Sequence, residues 1–293
     1  MNGWDDSDEP GLDLEADKVW RRREEDNLAT LAQAQATLRR HWADDELERA
    51  LSAAADRLNS SETCAPSLSH ALQTGLCETR AETLTAGWVD PAHVAHFRLQ
   101  RWNDFGSHRP QRVGEFARIL LSGDAASAAE AFCIPRGGAV SLFRVTGPAG
   151  PLYELAGDGA HRLHAARLLG FPLIWAQITQ FSPPLTLNSR SDVEERGQRG
   201  GGRRQRIAQT VMRWRGLISR GLVVGDIDDA DSNLPDLHLT RTVAPWLPLS
   251  SERVVAWSRH YERVYPGALA AIGIPPQAWS TPEAWDAWLT QPC

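Results

Sequence analysis

The segment from Tyr153 to Pro172, YELAGDGAHRLHAARLLGFP, restricts the fold more than any other part of the chain. The stretch from Leu152 to Ala156 is typical of a β-strand, and a Gly-Asp-Gly turn follows it. Helical spacing then runs from His161 to Leu169, and Gly170 is a residue that commonly ends a helix. Because Leu173 to Ile178 is apolar again, the segment predicts a strand, a turn, a helix and a strand in succession.

The residues before this segment predict further elements of the same domain. Val113 to Leu121 has the spacing of an amphipathic helix that stops at Gly123. Ala139 to Val145 is typical of a strand, and Gly147 to Gly150 is typical of a turn. Together with the first segment, they indicate a compact α/β unit of roughly ninety residues.

The glycine turn carries the clearest chemical signal. Gly157 and Gly159 permit a positive φ and let a ligand approach the backbone. The first amides of the following helix have no intrahelical partner and suit an anion, and Arg162 can grip phosphate oxygens with two nitrogens. The pattern therefore predicts a nucleotide phosphate as ligand. An ordinary turn, with Arg162 paired to Asp158 or Glu115, remains the alternative.

Three stretches, GDGAHRLHAARLLGFPLIWAQI, HRPQRVGEFARILLSGD and AFCIPRGGAVSLFRV, resemble the ParB/sulfiredoxin superfamily. The resemblance covers roughly residues 88 to 180. The Asp-Gly-x-His-Arg form is similar to that of the superfamily's free amino acid kinases and of ParB-like domains in antibiotic-pathway regulators. It implies a central α/β (α+β) domain that binds nucleotide phosphates. The residues that it implies for the phosphate site are Gly157, Asp158, Gly159, Ala160, His161 and Arg162.

At several positions the sequence differs from the superfamily's patterns, and these differences reduce the number of activities that the resemblance implies. Sulfiredoxins carry a reactive Cys where this chain has Ala160, so the resemblance does not extend to the reduction of a sulfinic acid. Partition proteins usually have two arginines in this turn, whereas His161 replaces the first one here, and their later motifs are not found. The superfamily's kinases have a catalytic Glu early in the domain. Glu115 lies in that region of this chain, but it is equally well explained as a solvent-exposed residue of the helix predicted there.

A phosphotransferase would use two residues of the turn as its catalytic groups. Asp158 could hold Mg²⁺ or orient a substrate hydroxyl, and His161 could bond a transferring phosphoryl oxygen. Their structural interpretations are a helix cap for Asp158 and packing beside the turn for His161. Whether the protein is an enzyme is left open at this point.

The rest of the chain divides by composition into flanking segments. Residues 18 to 60 have helical spacing with a break near residues 43 to 45, which fits either a dimerising hairpin or a helical cap. The whole division comprises an acidic disordered tail (1–17), a helical segment (18–60), a linker (61–87), the ParB/sulfiredoxin-like domain (88–181), a Gly/Pro-rich linker (182–202) and a mostly helical C-terminal domain (203–293). Within the last segment, residues 235 to 249 are predicted to be an irregular connection.

An arginine-rich stretch spans the second linker and the helix predicted over residues 203 to 221. It could track a nucleic-acid backbone, with Trp214 stacking on a base. A solvated arm that pairs with the acidic residues between 5 and 17 explains it as well. The arginines that we identify as candidate nucleic-acid contacts are Arg203, Arg204, Arg206, Arg213 and Arg215.

Composition bounds the remaining possibilities. The chain has 31 Lys and Arg against 37 Asp and Glu, so its formal net charge of −6 gives no overall positive field to attract nucleic acid. Its four cysteines include no CxxC pair and Cys133 lies in an apolar setting, so we expect a reducing compartment, an inert Cys133 and no metal site.

The acidic N-terminus is unlike a signal peptide, and no apolar run is long enough to span a membrane, which predicts a cytoplasmic protein. Most of the twelve tryptophans are expected in the core.

The resulting hypothesis is a ParB-like nucleotide-binding protein that regulates DNA-associated events such as transcription or partition. The expected cofactor is CTP, ATP or ADP, with Mg²⁺ as a candidate companion, and the expected partners are DNA and, as one candidate assembly, a second copy of the chain. The first alternative is a phosphotransferase that uses ATP or ADP and acts on a small hydroxylated metabolite such as a free amino acid. The second is a non-catalytic protein-interaction module.

Overall fold

The chain forms two compact units in the computed structural model, which describes residues 13–42, 46–60, 82–96, 108–135, 138–156, 159–181, 185–188, 202–228 and 235–291. Unit 1 consists of the described residues of Met1–Cys64, Leu84–Leu142 and Leu155–Thr179. Unit 2 consists of those of Ala65–Thr83, Phe143–Glu154 and Gln180–Cys293. The six-segment division of the sequence stays a prediction.

The described residues contain both helices and strands, as expected for an α/β or α+β protein. The α-helices are α1 (Asp13–Arg21), α2 (Glu24–Arg39), α3 (Glu46–Ser60), α4 (His108–Ser122), α5 (Ala125–Ala128), α6 (Ala160–Leu169), α7 (Arg203–Ser219), α8 (Ser251–Val264), α9 (Ala268–Ala271) and α10 (Pro282–Thr290). The strands are β1 (Glu82–Val89), β2 (Val94–His96), β3 (Val140–Thr146), β4 (Pro151–Leu155), β5 (Ile174–Phe181), β6 (Leu185–Asn188), β7 (Val223–Asp228) and β8 (Asp236–Thr242).

The strands form a five-stranded and a three-stranded sheet. The larger sheet has the order β1-β5-β3-β4-β2. In the smaller one, β8 lies between β6 and β7 and pairs with both in antiparallel orientation, with Leu187 opposite Leu237 and Ile227 opposite the same leucine. The predicted succession of strand, turn, helix and strand is confirmed by β4, α6 and β5, because glycine and proline mark its boundaries locally.

Two elements differ from the sequence expectation. The region of residues 235 to 249 was expected to be irregular but contains β8, in which Leu237 and Leu239 are buried while His238 and Thr240 are exposed. This alternation has the period of a strand, but it covers few residues and directly follows Pro235, so the sequence alone favours a loop. Helix α1 also begins inside the segment that was expected to be a disordered tail, because its Trp20 is fully buried in the core of unit 1.

Three tryptophans from different elements form the centre of unit 1. Trp20 on α1, Trp88 on β1 and Trp175 on β5 meet edge to face, with ring centroids 5.0–5.6 Å apart. Asn27 joins this cluster, because its side-chain oxygen accepts a hydrogen bond from Trp88 Nε1 and its Nδ2 donates to the carbonyl of Trp20, both at 3.2 Å. Edge-to-face aromatic packing adds to the free energy gained by burial, so the three tryptophans stabilise the packing of α1 against β1 and β5.

Unit 2 is organised around aromatic residues of α8. Tyr261 is buried against Trp246, with ring centroids 4.9 Å apart, and Trp257 is buried beside them. Trp285 on α10 is also buried, so the expectation that tryptophans fill the core is confirmed at these positions. Among the described residues, no helix is both long and apolar enough to cross a membrane.

The Tyr261 hydroxyl bonds to three backbone atoms of the turn between β3 and β4. Tyr261 Oη accepts hydrogen bonds from the amides of Ala149 (2.6 Å) and Gly150 (3.0 Å) and donates to the carbonyl of Gly150 (3.1 Å). At Gly147, a Cβ atom would lie 2.5 Å from the Tyr261 ring, so only glycine lets the turn approach this closely.

We predict that Tyr261→Phe lowers the free energy of unfolding by about 2 kcal/mol, because two backbone amides lose their acceptor while the ring packing is kept. Tyr265→Phe removes one hydrogen bond, donated to the carbonyl of Pro151, and serves as the milder reference. Urea unfolding followed by tryptophan fluorescence measures both changes. A Tyr261→Phe protein as stable as the wild type would contradict this account of the turn.

Candidate functional site

The predicted phosphate site centres on the first residues of α6. Gly159 precedes this helix in a left-handed conformation, with φ +107°, and as a glycine it contributes no capping side chain of its own. A Cβ atom on Gly159 would lie 2.6 Å from Cγ2 of Val140, so the strand β3 occupies the space that a side chain would need. Glycine is required here both by its dihedral angle and by this close approach. Gly157 and Asp158, the other two residues of the predicted turn, lie outside the described residues.

The other end of α6 has the predicted stop. Gly170 adopts φ +65°, and the Phe171 amide donates to the carbonyl of Ala166 at 2.8 Å. Both ends of the helix are thus fixed by glycines in a left-handed conformation.

Arg162 is buried inside unit 1. Its side chain is only 3% exposed, and its Nη1 donates a hydrogen bond of 2.9 Å to the carbonyl oxygen of Gly138. Gly138 itself has φ +88° and immediately precedes the residues that lead into β3. The guanidinium therefore connects the start of α6 to the loop before β3, which differs from the two-nitrogen grip on phosphate oxygens that the sequence suggests.

The neighbours of Arg162 in the helix differ in exposure. Ala160 is buried, whereas His161 is half-buried, so His161 has the more accessible side chain of this first turn. Glu115, the acidic residue considered as an ion-pair or catalytic partner, is exposed on α4, where Gln111 donates a hydrogen bond of 3.4 Å to it.

Cys133 lies in the core of unit 1, as its apolar neighbours predicted. Burial raises the pKa of its thiol well above the ordinary value, and this outweighs the opposite effects of the nearby Arg162 charge and of a hydrogen bond from the Trp175 backbone. The thiolate is the reactive form of cysteine, so this environment keeps Cys133 unreactive. The described part of the turn, from Gly159 to Arg162, contains no cysteine.

The candidate nucleic-acid residues on α7 do not share one surface. Arg204 and Arg215 are exposed and Arg206 is half-buried, whereas Arg213 is 3% exposed and donates to Thr210 Oγ1 at 3.3 Å. Only the backbone of Arg203 is described. The basic surface of α7 is therefore narrower than the sequence suggested, and Arg213 does not face solvent.

Trp214, which we considered as a stacking platform, is part of the core of unit 2. It is 2% exposed, and its Nε1 donates a hydrogen bond of 2.8 Å to the carbonyl of Pro248. An indole that is enclosed and bonded in this way cannot stack on a nucleobase without unfolding its surroundings.

One surface feature of unit 2 was missed by the sequence analysis. A cavity of about 490 Å³ lies between α7 and the end of α10 and includes Met212, Arg215 and Leu289 in its lining. It depends on Gly216, where a Cβ atom would lie 2.6 Å from the Leu289 carbonyl oxygen. The residues that form this groove lie more than seventy positions apart in the chain. The one feature of the local sequence that could have indicated a close helix contact is the glycine within the arginine-rich helix.

Among the described residues, no group of three or more His, Cys, Asp or Glu side chains is placed to hold a metal ion. No protein-family model, curated protein or solved structure matches the chain.

We predict that Arg162→Met lowers the free energy of unfolding by about 2 kcal/mol, because it leaves the buried Gly138 carbonyl without this charged donor. Arg162→Lys keeps a hydrogen-bond donor and a positive charge, so it should lower the free energy of unfolding by less. Arg112→Met, the same change at an exposed position of α4, is the matched control and should leave stability unchanged within about 0.5 kcal/mol. Equal stabilities of the Arg162→Met and Arg112→Met proteins in urea titrations would contradict the structural role of this side chain.

Proposed function

We propose that the chain binds the phosphate groups of a nucleotide, CTP, ATP or ADP, at the start of α6, and that the bound state regulates DNA-associated events. The observation that carries the proposal is the backbone of Gly159, with φ +107° and no room for a side chain against Val140. Because Gly159 has no side chain, β3 packs directly against the start of α6, and this contact fixes the position of the first amides of the helix.

The first turn of α6 supplies the electrostatic part of the proposed site. Its N-terminal amides lie at the positive end of the helix dipole, where an anion is stabilised by both the dipole and direct N–H hydrogen bonds. Gly159 brings no side chain that could cap these amides or cover them. Phosphate oxygens are the ligand class that best suits this arrangement.

Arg162 has a supporting role in this proposal. Its bond to Gly138 places a buried positive charge behind the first turn and fixes the loop that precedes β3. Long-range attraction to a phosphate remains, because a buried charge is poorly screened by salt. His161, which is half-buried, is the side chain of this turn that we assign to direct phosphate contact.

We also propose that this part of the chain is a ParB/sulfiredoxin-like domain. The succession of β4, α6 and β5, with left-handed glycines at both ends of the helix, supports this assignment. Whether the phosphate is transferred to a metabolite, with Asp158 and His161 as catalytic groups, is decided by the assay for nucleotide turnover described below.

Contact with DNA is proposed for the exposed arginines of α7. Arg204 and Arg215 are eleven positions apart on this helix, which corresponds to about 16 Å along its axis. Helix α7 contains five arginines and no acidic residue, so it forms a local positive region in a chain of net charge −6. Phosphate contacts of this kind give sequence-independent, salt-dependent affinity.

We predict that calorimetry detects binding of CTP, ATP or ADP by the wild type, and that Gly159→Ala weakens it at least tenfold because the new methyl group meets Val140. Gly170→Ala is the matched control: it places the same methyl group on a left-handed glycine at the other end of α6, with no atom within 4 Å of the new Cβ. His161→Ala tests the proposed contact without changing the backbone. Circular dichroism establishes that each variant is folded.

Two results would overturn this proposal: failure of the wild type to bind any of the three nucleotides, with and without Mg²⁺, or unchanged affinity in both the Gly159→Ala and His161→Ala proteins. Repeated turnover of ATP or ADP with a free amino acid would replace the regulatory role by the phosphotransferase alternative.

For DNA, we predict that Arg204→Ala lowers retention of a duplex on a filter and reduces the slope of log affinity against log salt by about one. Arg263→Ala, at an exposed position of α8, is the control and should change neither quantity. A retention that does not vary with salt, or that Arg204→Ala leaves unaltered, would argue against contact through α7.

A further inference from the structure

The exposed side of α7 is one continuous face. Successive residues of an α-helix are about 100° apart around its axis, so the positions of the exposed residues show how wide this face is. The exposed side chains that the structure describes on α7 all lie within an arc of about 140°. They are Arg204, Gln205, Ala208, Gln209, Met212, Arg215 and Ser219.

Charged, apolar and amide groups occupy different parts of this face. Arg204 and Arg215 are about 20° apart around the helix axis and form one border of the face. Gln205 lies about 100° from Arg204, towards the other border. Ala208 and Met212 lie between them and are apolar. The face therefore presents a positive border, an apolar strip and an amide.

The side chains of Arg204 and Gln205 are exposed and available to a ligand. In the part of the chain that the structure describes, no group pairs with the Arg204 guanidinium or with the Gln205 side-chain amide. A partner can bind these two side chains without breaking a hydrogen bond or an ion pair to a described residue. Such a bond would have to be replaced, which lowers affinity.

Helix α10 packs on the other end of α7. Gly216 lets the Leu289 carbonyl approach the C-terminal turns of α7, and Arg220 donates to the carbonyl of Trp288 just after the helix. The exposed positions from Arg204 to Met212 include no acidic residue. A polyanion can therefore approach these turns without meeting a carboxylate on the helix itself.

The exposed side chains of these turns match the major groove of DNA. The groove is about 12 Å wide and admits an α-helix. The amide of Gln205 has a donor and an acceptor side by side, which is the pattern that pairs with N7 and N6 of adenine. Apolar side chains such as Ala208 contact the thymine methyl group, and an arginine at the border, such as Arg204, suits the phosphates.

We infer that the N-terminal turns of α7, from Arg204 to Met212, enter the major groove of duplex DNA and read its sequence, with Gln205 bonded to an adenine. This inference rests on the DNA contact proposed above and adds base recognition to it. Arg204 contacts a phosphate and positions the helix, while Ala208 and Met212 lie against thymine methyl groups. From Arg204 to Met212 the helix rises about 12 Å, which corresponds to three or four base pairs.

The test uses the full-length protein and a library of duplexes whose eight central base pairs are randomised. Duplexes retained on a filter are amplified, selected again and sequenced. We expect the wild type to enrich a common element of three or four base pairs that includes an adenine. Replacement of this adenine pair should weaken binding at least fivefold, as expected for the loss of a bidentate base contact.

Two variants separate base recognition from phosphate contact. Gln205→Ala should abolish the preference for the adenine while it changes the retention of the unselected library less than twofold. Arg204→Ala should lower the retention of selected and unselected duplexes alike, because a phosphate contact does not depend on sequence. Gln33→Ala makes the same change as Gln205→Ala at an exposed position of α2 and should leave the selected element unaltered. Circular dichroism establishes that each variant is folded.

Retention without an enriched element, or an adenine preference that persists in the Gln205→Ala protein, would overturn the inference and leave the proposed DNA contact intact. Failure of the wild type to retain any duplex at low salt would overturn both. Displacement of the selected duplex by poly-glutamate as readily as by the same duplex without label would assign the face to an acidic protein instead.

Discussion

The hydrogen bond from Arg162 to the Gly138 carbonyl is the interaction on which the candidate site of unit 1 depends. It joins residues 24 positions apart in the chain, and Arg162 is only 3% exposed. At such a buried position, a hydrogen-bonding group that loses its partner lowers the free energy of unfolding. With Gly159 packed on Val140, it fixes the start of α6 relative to β3. The amides of the first helical turn are thereby held in place before any ligand arrives, which is the condition for a backbone-based anion site.

In the fold, Arg162 holds the local backbone in place, so the proposed phosphate contact falls to other groups in the first turn of α6. An arginine in the first turn of a helix after a glycine turn looks like a phosphate ligand when it is read alone. In the fold, its guanidinium serves the backbone of the neighbouring loop, and the more accessible side chain of the turn is His161. The proposed site therefore depends on backbone amides and dipole more than on a side-chain fork.

The sequence predicted those parts of the fold that are encoded locally. The strand, helix and strand around Gly159 and Gly170 were found within a few residues of their observed bounds, because glycine and proline mark their ends. What it did not predict depends on contacts between distant positions. Arg213 and Trp214 belong to the same basic helix as Arg204 and Arg215, yet they face the core because α7 packs on β7 and α10. The burial of Trp20 against Trp88 and Trp175, which orders α1, has no local signal either.

The most direct test of the central claim is a heteronuclear NMR titration of the uniformly ¹⁵N-labelled protein with CTP, ATP and ADP. The account predicts that the largest amide shifts occur at Ala160, His161 and Arg162, in the first turn of α6, and saturate with the nucleotide that binds. Amide shifts that are absent with all three nucleotides, or that concentrate in unit 2 while this turn stays unchanged, would contradict it.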